Sequence, residues 1–311
     1  MTHWKLTLAY DGTPYYGWQV QPGLPTIQGA LADAIHRTTG ERVLPQGSGR
    51  TDAGVHALAQ VASFALAAPI PPDRLQLALN RCLPPSIRIL AAEVAPPGFH
   101  ARHCAIRKTY EYRIFPLRPQ HLELRLPGRR IGGAIPMSQS RDMGHPNEWI
   151  ADAPDRICPP TLAPFVWPCP WPLSLDLLNH AAAHILGAHD FTTFAATDPD
   201  QSSRADSVES AKTPIRTIHH SRWHAHEDLL IYRVTGSGFL HHMVRNLVGT
   251  FVQAGAERLD PDAIPNLIAA RSRALCGPTA PATGLFLVQV DYPEPAPLKY
   301  QPATDNLQPP L

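Results

Sequence analysis

Residues 47–56 read GSGRTDAGVH, and the apolar run ALAQVASFAL follows them directly. The run predicts a buried strand, so the charged residues Arg50 and Asp52 belong to a loop at its start. Three glycines surround them, and glycine lets backbone approach a ligand closely. An arginine two residues away favours the ionised form of a carboxylate. The loop is therefore either a turn, in which an aspartate binds backbone groups, or a site that presents a nucleophile.

The composition is that of a globular protein with an ordinary core. The 311 residues carry a formal net charge of +1, and their number allows two domains of usual size. The five cysteines are scattered without a C-x-x-C pair, which favours a reducing cytoplasm over a disulfide framework or a zinc ribbon. The start, MTHWKLTLAYDG, predicts a strand without a signal peptide. Apolar runs are too short to span a bilayer, so a membrane protein is not expected.

Hydrophobic periodicity predicts helices and strands in both parts of the chain. One helix starts after Thr26, which is a suitable N-cap because apolar residues then recur at helical spacing. The predicted strands are 4–10, 42–46, 58–66, Ile87–Val94, 108–115, 216–225, 229–235 and 285–292. The other predicted helices are Pro72–Cys82, 173–186, 240–256 and 261–270. This succession predicts an α/β protein of the α+β type, with mixed, mainly antiparallel sheets and helices packed on them.

The chain divides into two predicted halves and a tail. The first half, 1–103, carries the loop at Asp52. The second half, 104–295, contains an insertion at about 116–172 that holds twelve of the 35 prolines. Proline removes a backbone donor and blocks helix interiors, so the insertion is predicted to be partly irregular. Residues 296–311 are rich in proline and weakly apolar, which predicts a disordered tail.

The stretch GRTDAGVHALAQV resembles the signature of the tRNA pseudouridine synthase A family, and the resemblance extends from residue 6 to residue 293. Its further motifs are YDGTPYYGWQVQP, FHARHCAIRKTYEYRI, GAHDFTTF, GSGFLHHMVRNLVGT and TGLFLVQVDYP. The resemblance implies isomerisation of uridine to pseudouridine at positions 38, 39 and 40 in the anticodon stem-loop of tRNA, without a metal or cofactor. It also implies a homodimer, and two related halves with an active-site cleft between them.

Four residues receive roles from this resemblance. Asp52 matches the catalytic aspartate, Arg50 and Arg245 match the arginines beside it, and Tyr110 matches the tyrosine that stacks on the target uracil. The reaction breaks the N1–C1′ bond of uridine, turns the base and rejoins it through C5. A carboxylate assists by attacking C1′ or C6, or by removing a ribose proton so that a glycal forms, and the sequence leaves these routes open. The base must leave its stack, and an aromatic ring then replaces the lost face.

Positive charge is concentrated in the first part of the chain. Residues 1–120 hold 12 Lys and Arg against 7 Asp and Glu, whereas residues 173–290 hold 9 against 11. One cluster of positive or protonatable residues comes just before Tyr110 and consists of His100, Arg102, His103, Arg107 and Lys108. We assign Arg102, Arg107 and Lys108 to RNA binding, because such side chains follow a phosphate backbone.

Other functions fit the sequence less well. His224 and His226 share a face of a predicted strand, but two ligands do not make a metal site. His241 and His242 are adjacent and are expected to diverge on a helix. The alternative function is a noncatalytic tRNA-binding protein or RNA folding helper of the same fold, in which loss of chemistry would show at Asp52. A glycoside hydrolase would need a second carboxylate in a comparable motif.

Overall fold

The computed structural model describes residues 1–118, 156–196 and 213–293, which form ten strands and five α-helices. The strands are β1 (Thr2–Tyr10), β2 (Gln46–Gly47), β3 (His56–Leu66), β4 (Ile87–Val94), β5 (Arg107–Pro116), β6 (Trp167–Cys169), β7 (Gly187–Asp190), β8 (Ile215–His226), β9 (Leu229–Gly236) and β10 (Leu285–Asp291). The helices are α1 (Ile27–Thr39), α2 (Pro72–Cys82), α3 (Leu175–Ala183), α4 (Met243–Gly255) and α5 (Ile264–Ala270). Most of the predicted insertion and the whole predicted tail, 296–311, lie outside the described residues.

The described strands form one sheet. Its order is β4, β1, β3, β10, β5, β9, β8, β7, while β2 pairs with β3 and β6 pairs with β5. Pairing is parallel between β10 and β3 and between β6 and β5, and antiparallel elsewhere. The predicted α+β class with mainly antiparallel pairing is confirmed. The two halves share this sheet because β10, from near the end of the chain, lies between β3 and β5.

Helix α1 forms where the periodicity predicts it. The hydroxyl oxygen of Thr26 accepts a hydrogen bond from the backbone N–H of Gly29 at 3.3 Å, which caps the helix start. Gly40 ends the helix with φ of 78°, a left-handed conformation typical of a glycine C-cap. The buried apolar residues of the helix are Ile27, Leu31, Ala34 and Ile35. The sequence pattern and the buried face therefore agree.

Helices cover the sheet in both halves and share one core with it. In the first half α2 packs on β4 and on α1, and in the second half α3 packs on β8 and on α4. The core includes fully buried aromatic residues of both halves, such as Trp4 and Trp223. Burying a large apolar side chain contributes about 1.5–3 kcal/mol. Within the described ranges no α-helix combines the length and apolar character needed to cross a membrane.

The predicted strand at 42–46 is wrong. The structure has the two-residue strand β2 instead, in which Gln46 and Gly47 pair with Ser63 and Ala62. Pro45 precedes this strand and lacks the N–H that a ladder needs, so pairing cannot extend back through it.

The predicted helices 173–186, 240–256 and 261–270 all begin too early. The side-chain oxygen of Ser174 accepts from the backbone N–H of Leu177 at 3.3 Å and so caps α3. Helix α4 begins at Met243 because His242 has φ of 57° and ψ of 5°, a left-handed conformation that interrupts the helical path. The turn Pro261–Ala263 is a 3-10 helix that precedes α5.

Candidate active site

Asp52 lies in the loop that joins β2 to β3, and hydrogen bonds hold this loop on both sides of it. The hydroxyl oxygen of Thr51 lies 2.8 Å from the phenol oxygen of Tyr10. The backbone carbonyl of Thr51 accepts a hydrogen bond from the backbone N–H of Trp18 at 3.0 Å. The backbone N–H of Val55 donates to the carbonyl of Asp52 at 3.1 Å and closes a turn. The side chain of Asp52 remains 21% exposed, so a substrate can reach its carboxylate.

Two glycines of the motif YDGTPYYGW let the first loop of the chain pack against the Asp52 loop. Gly17 has φ of 85°, and a Cβ atom there would lie 2.5 Å from the carbonyl oxygen of Thr51. A Cβ atom at Gly12 would overlap the carbonyl group of Val55. Glycine at these positions lets the two backbones approach, so both motifs contribute to one site.

Three side chains from the second half of the chain meet the carboxylate of Asp52. Nη1 of Arg245 donates to Oδ2 at 3.1 Å. Nε2 of His242 lies 3.2 Å from Oδ2, and Nε2 of His241 lies 3.6 Å from Oδ1. Asp52 and Arg245 are 193 residues apart in the sequence, so the fold alone brings them together. The guanidinium offers a charge-assisted hydrogen bond to an ionised carboxylate.

Arg245 is held in place by a second hydrogen bond of its own guanidinium. Its Nε donates to the carbonyl of Ala280 at 2.8 Å, while the backbone N–H of Ala280 donates to the carbonyl of Arg245 at 3.1 Å. The next residue, Asn246, is fully buried, and its side-chain amide donates to the carbonyl of Phe194 at 2.7 Å. These bonds fix the start of α4, and with it the position from which Nη1 reaches Asp52.

His241 and His242 are the site residues that the sequence analysis missed. The expectation that they diverge is wrong, because they precede α4 and His242 has a left-handed backbone. Their ring centroids are 3.9 Å apart, and both rings turn an Nε2 atom towards Asp52. Burial lowers the pKa of His242 from its ordinary value, so the imidazole is neutral at neutral pH. The only signal in the sequence is the pair itself, just before an apolar helical stripe.

Tyr110 lies on β5, which pairs with β9 and β10 in the middle of the sheet. Its ring packs edge-on against Phe239, with 5.1 Å between the centroids, and 8% of the residue is exposed. Burial raises the pKa of its phenol, and the negative charge of Asp52 contributes in the same direction. The phenol is therefore neutral, and close enough to Asp52 to feel its charge.

The sequence of the chain matches a known family over two long segments. The family is described as tRNA pseudouridine synthase and matches residues 7–103 and 181–293. The tRNA pseudouridine synthase A of Solibacter usitatus is 43% identical over 288 residues, which cover 93% of this chain and 98% of the relative. The protein of the same name from Moorella thermoacetica is 40% identical, with 93% and 98% covered. That from Rhodopseudomonas palustris is 38% identical, with 94% and 100% covered.

The chain belongs to the tRNA pseudouridine synthase family. It is accordingly an enzyme of the isomerase class. The two matched segments include Asp52 and Arg245, which the fold brings into contact, whereas Tyr110 lies in the stretch between the segments. One matched segment thus contains the loop with Asp52, and the other contains the start of α4 with Arg245.

By distance alone, Asp52 and its two histidines could also hold a metal ion. Their possible ligand atoms lie within 4.8 Å of one another. In this synthase, however, Nη1 of Arg245 lies 3.1 Å from the same carboxylate oxygen that His242 approaches. A fixed guanidinium repels a second cation at this distance. The geometry therefore favours a carboxylate that is paired with Arg245.

Two of the predicted positive residues lie in or against the Asp52 loop. Arg50 lies two residues before Asp52 and is half-buried, but it is not one of the three described partners of that carboxylate. Lys108 turns its ammonium group to the loop, where Nζ donates to the carbonyl of Ser48 at 2.6 Å. Burial, together with the nearby positive charge of Arg102, lowers the pKa of Lys108 to about 8. Lys108 therefore helps to hold the Asp52 loop in place through its hydrogen bond to Ser48.

Proposed function

We propose that the protein isomerises uridine to pseudouridine at positions 38, 39 and 40 of the anticodon arm of tRNA, with Asp52 as the catalytic carboxylate and without a metal or cofactor. The observation that carries the proposal is the contact between Asp52 and Arg245, whose Nη1 lies 3.1 Å from Oδ2. Both side chains are partly exposed, at 21% and 15%, so the pair is accessible to a nucleoside. The chain's place in the synthase family supplies the reaction.

The geometry suits a carboxylate that must remain an anion while the base is detached and turned. Arg245 donates one charge-assisted hydrogen bond to Oδ2, which leaves Oδ1 free of that guanidinium. Oδ1 is approached by His241 at 3.6 Å, a distance longer than a hydrogen bond. Oδ1 is therefore the oxygen that we assign to substrate. It serves attack at C1′, attack at C6 and removal of a ribose proton equally well.

The imidazoles of His241 and His242 beside Asp52 help to keep Oδ1 in place. Nε2 of His242 lies 3.2 Å from Oδ2, the same oxygen that Arg245 binds. The guanidinium and the imidazole both contact Oδ2, so they restrict rotation of the carboxylate and direct Oδ1 away from them. His241 and His242 are positioning residues in this proposal.

Substrate binding is assigned to Tyr110 and to positive residues near the loop. A uracil taken out of its stack needs an aromatic face, and the ring of Tyr110 is backed by Phe239. Lys108, Arg102 and Arg216 lie close enough for the two arginines to lower the pKa of Lys108. Arg107, at the start of β5, is exposed. We assign Arg102, Arg107 and Lys108 to the neighbourhood of tRNA phosphates, and Arg50 to the catalytic loop.

The setting proposed for this reaction is a cytoplasmic homodimer. Transfer RNA is larger than the surface around one carboxylate, so a second copy of the chain supplies further positive surface for the rest of the molecule. The reduced state expected of the five cysteines favours the cytoplasm, and the described ones are free.

Replacing Tyr110 separates stacking from hydrogen bonding by its hydroxyl. Tyr110→Phe keeps the ring and should retain most of the activity, whereas Tyr110→Leu keeps much of the apolar volume and should lose at least about fivefold, since stacking on a base contributes about 1–3 kcal/mol. Single-turnover assays on an unmodified anticodon arm measure both variants. Equal rates for the two variants would remove stacking from the proposal.

Mapping pseudouridine in total tRNA tests the proposed substrate directly. Cells without this protein should lack pseudouridine at positions 38, 39 and 40, and a plasmid that encodes the protein should restore all three. A plasmid that encodes Asp52→Asn should restore none. Loss at other tRNA positions, with 38, 39 and 40 unchanged, would contradict the proposed site specificity.

A further inference from the structure

Two histidines and one aspartate form a cluster that the proposed reaction does not use. His180 lies on α3, His184 lies just after its end, and Asp262 belongs to the 3-10 turn Pro261–Ala263. Nε2 of His180 lies 3.0 Å from Oδ1 of Asp262, and Nε2 of His184 lies 3.1 Å from the same oxygen. Two imidazoles, one on α3 and one at its C-cap, therefore converge on a single carboxylate oxygen. We propose that this cluster is a binding site for a divalent transition-metal ion, with Zn²⁺ as its representative.

The spacing of the ligand atoms fits such an ion. Zinc binds histidine nitrogen and carboxylate oxygen at about 2.0–2.2 Å, so neighbouring ligands in a tetrahedral or octahedral shell lie about 3.0–3.5 Å apart. The distances from Asp262 to His180 and His184 are 3.0 and 3.1 Å, and the three ligand atoms lie within 4.8 Å of one another. Histidines at positions i and i+4 share a helix face and can bind one ion together.

The backbone under the three ligands is firmly held. Helix α3 buries Leu178, Ala181 and Ala182, which leaves His180 and His184 on its outer side. Oδ1 of Asp260 accepts a hydrogen bond from the backbone N–H of Asp262 at 3.0 Å, and this capping bond fixes the turn. The 3-10 turn also packs directly against α3. The cluster therefore belongs to regular structure rather than to a long loop.

The chemistry of the ligands selects the class of ion. Imidazole nitrogen suits Zn²⁺, Ni²⁺ and Cu²⁺, whereas Mg²⁺ and Ca²⁺ prefer oxygen ligands. Two histidines and one carboxylate leave coordination positions for water. The side chains of His180, His184 and Asp262 are 49%, 27% and 65% exposed, so an ion can enter from solvent.

The cluster also differs from the one around Asp52. Among the described residues, Asp262 forms ion pairs with His180 and His184. Asp52, in contrast, also forms an ion pair with the guanidinium of Arg245. An incoming cation at Asp262 meets no arginine among these described partners. A bound ion would link α3 to the 3-10 turn. Because these ligands come together only in the folded chain, the ion would stabilise the folded state over the unfolded state.

The test measures Zn²⁺ binding and thermal unfolding of the full chain, purified without a polyhistidine tag and stripped with a chelator. Excess Zn²⁺ should raise Tm by about 2 °C or more, and Mg²⁺ should not. His184→Asn and His180→Asn should each lower Zn²⁺ affinity at this site at least about tenfold, because each removes a direct ligand. His220→Asn removes an exposed histidine of β8 and should bind as the wild type does. Substitution of Zn²⁺ by Co²⁺ gives an absorption spectrum that reports imidazole ligation.

Two results would overturn the inference. One is Zn²⁺ affinity and a Tm increase in His184→Asn that equal those of the wild type. The other is loss of all binding in His241→Asn with full binding in His184→Asn, which would assign the ion to the cluster at Asp52. Pseudouridine formation should be the same in His184→Asn and the wild type, so failure of the metal site leaves the proposed reaction untouched.

Discussion

The substitution Asp52→Asn should abolish pseudouridine formation while leaving tRNA binding within a few fold of the wild type. Asparagine keeps the shape of the side chain but cannot act as an anionic nucleophile or base, so the turnover rate should fall at least about 10³-fold, or about 4 kcal/mol of transition-state stabilisation. The carboxylate is 21% exposed and its ion pairs are therefore partly screened, so the fold should tolerate the change. Single-turnover formation of pseudouridine and equilibrium binding of a tRNA anticodon arm measure the two effects.

The matched control is Asp33→Asn. Asp33 is an exposed residue of α1, so its loss changes the net charge by the same amount at a site without the Arg245 contact. Its rate should equal that of the wild type. Turnover by Asp52→Asn at a rate near that of Asp33→Asn would remove the carboxylate from the mechanism.

The same experiment separates the enzyme from a protein that only binds or refolds RNA. A binding protein of this fold would release its tRNA without pseudouridine, whether Asp52 is present or replaced. The wild-type chain should instead convert the uridine and Asp52→Asn should not, although both bind.

Local sequence patterns predict the long regular elements of this fold well. Helix α1 follows from an apolar stripe and from Thr26, whose side chain caps it as expected. The pairing of strands is less visible in the sequence, because β10 joins β3 in parallel only when the whole chain has folded. Register between segments so far apart depends on tertiary packing, which a single sequence does not display.

The site is predictable in its residues but not in its contacts. The resemblance of the motifs around Asp52 and Arg245 to the synthase family indicates both members of the pair, and the fold brings them to 3.1 Å. The histidines do not follow from the sequence because the apolar pattern predicts a helix through His242, whereas its backbone is left-handed in the structure. Asparagine, aspartate and histidine adopt this conformation more often than other residues, yet the preference is too weak to predict it.

The substitution Arg245→Met should lower the rate of pseudouridine formation at least about 10²-fold, because it removes the positive charge that meets Asp52 at 3.1 Å while keeping a flexible side chain of similar length. Arg245→Lys should fall between the wild type and Arg245→Met. The guanidinium of Arg245 binds Asp52 at 3.1 Å and the carbonyl of Ala280 at 2.8 Å through two different nitrogens. The single ammonium of a lysine cannot reproduce both hydrogen bonds in this geometry. Arg81→Met, in which an exposed arginine of α2 is replaced, is the matched control and should react as the wild type does.

The combination of Arg245→Met with Asp52→Asn shows how the arginine acts. If Arg245 acts by holding and charging the carboxylate, it has nothing left to assist once Asp52 is neutral. The double variant should then be no slower than Asp52→Asn alone, because residues that act as a unit are not additive. A double variant that is slower by the full factor of Arg245→Met would mean that the guanidinium contacts the nucleotide independently. The cycle therefore tests the contact between the two halves of the chain, on which the proposed mechanism rests.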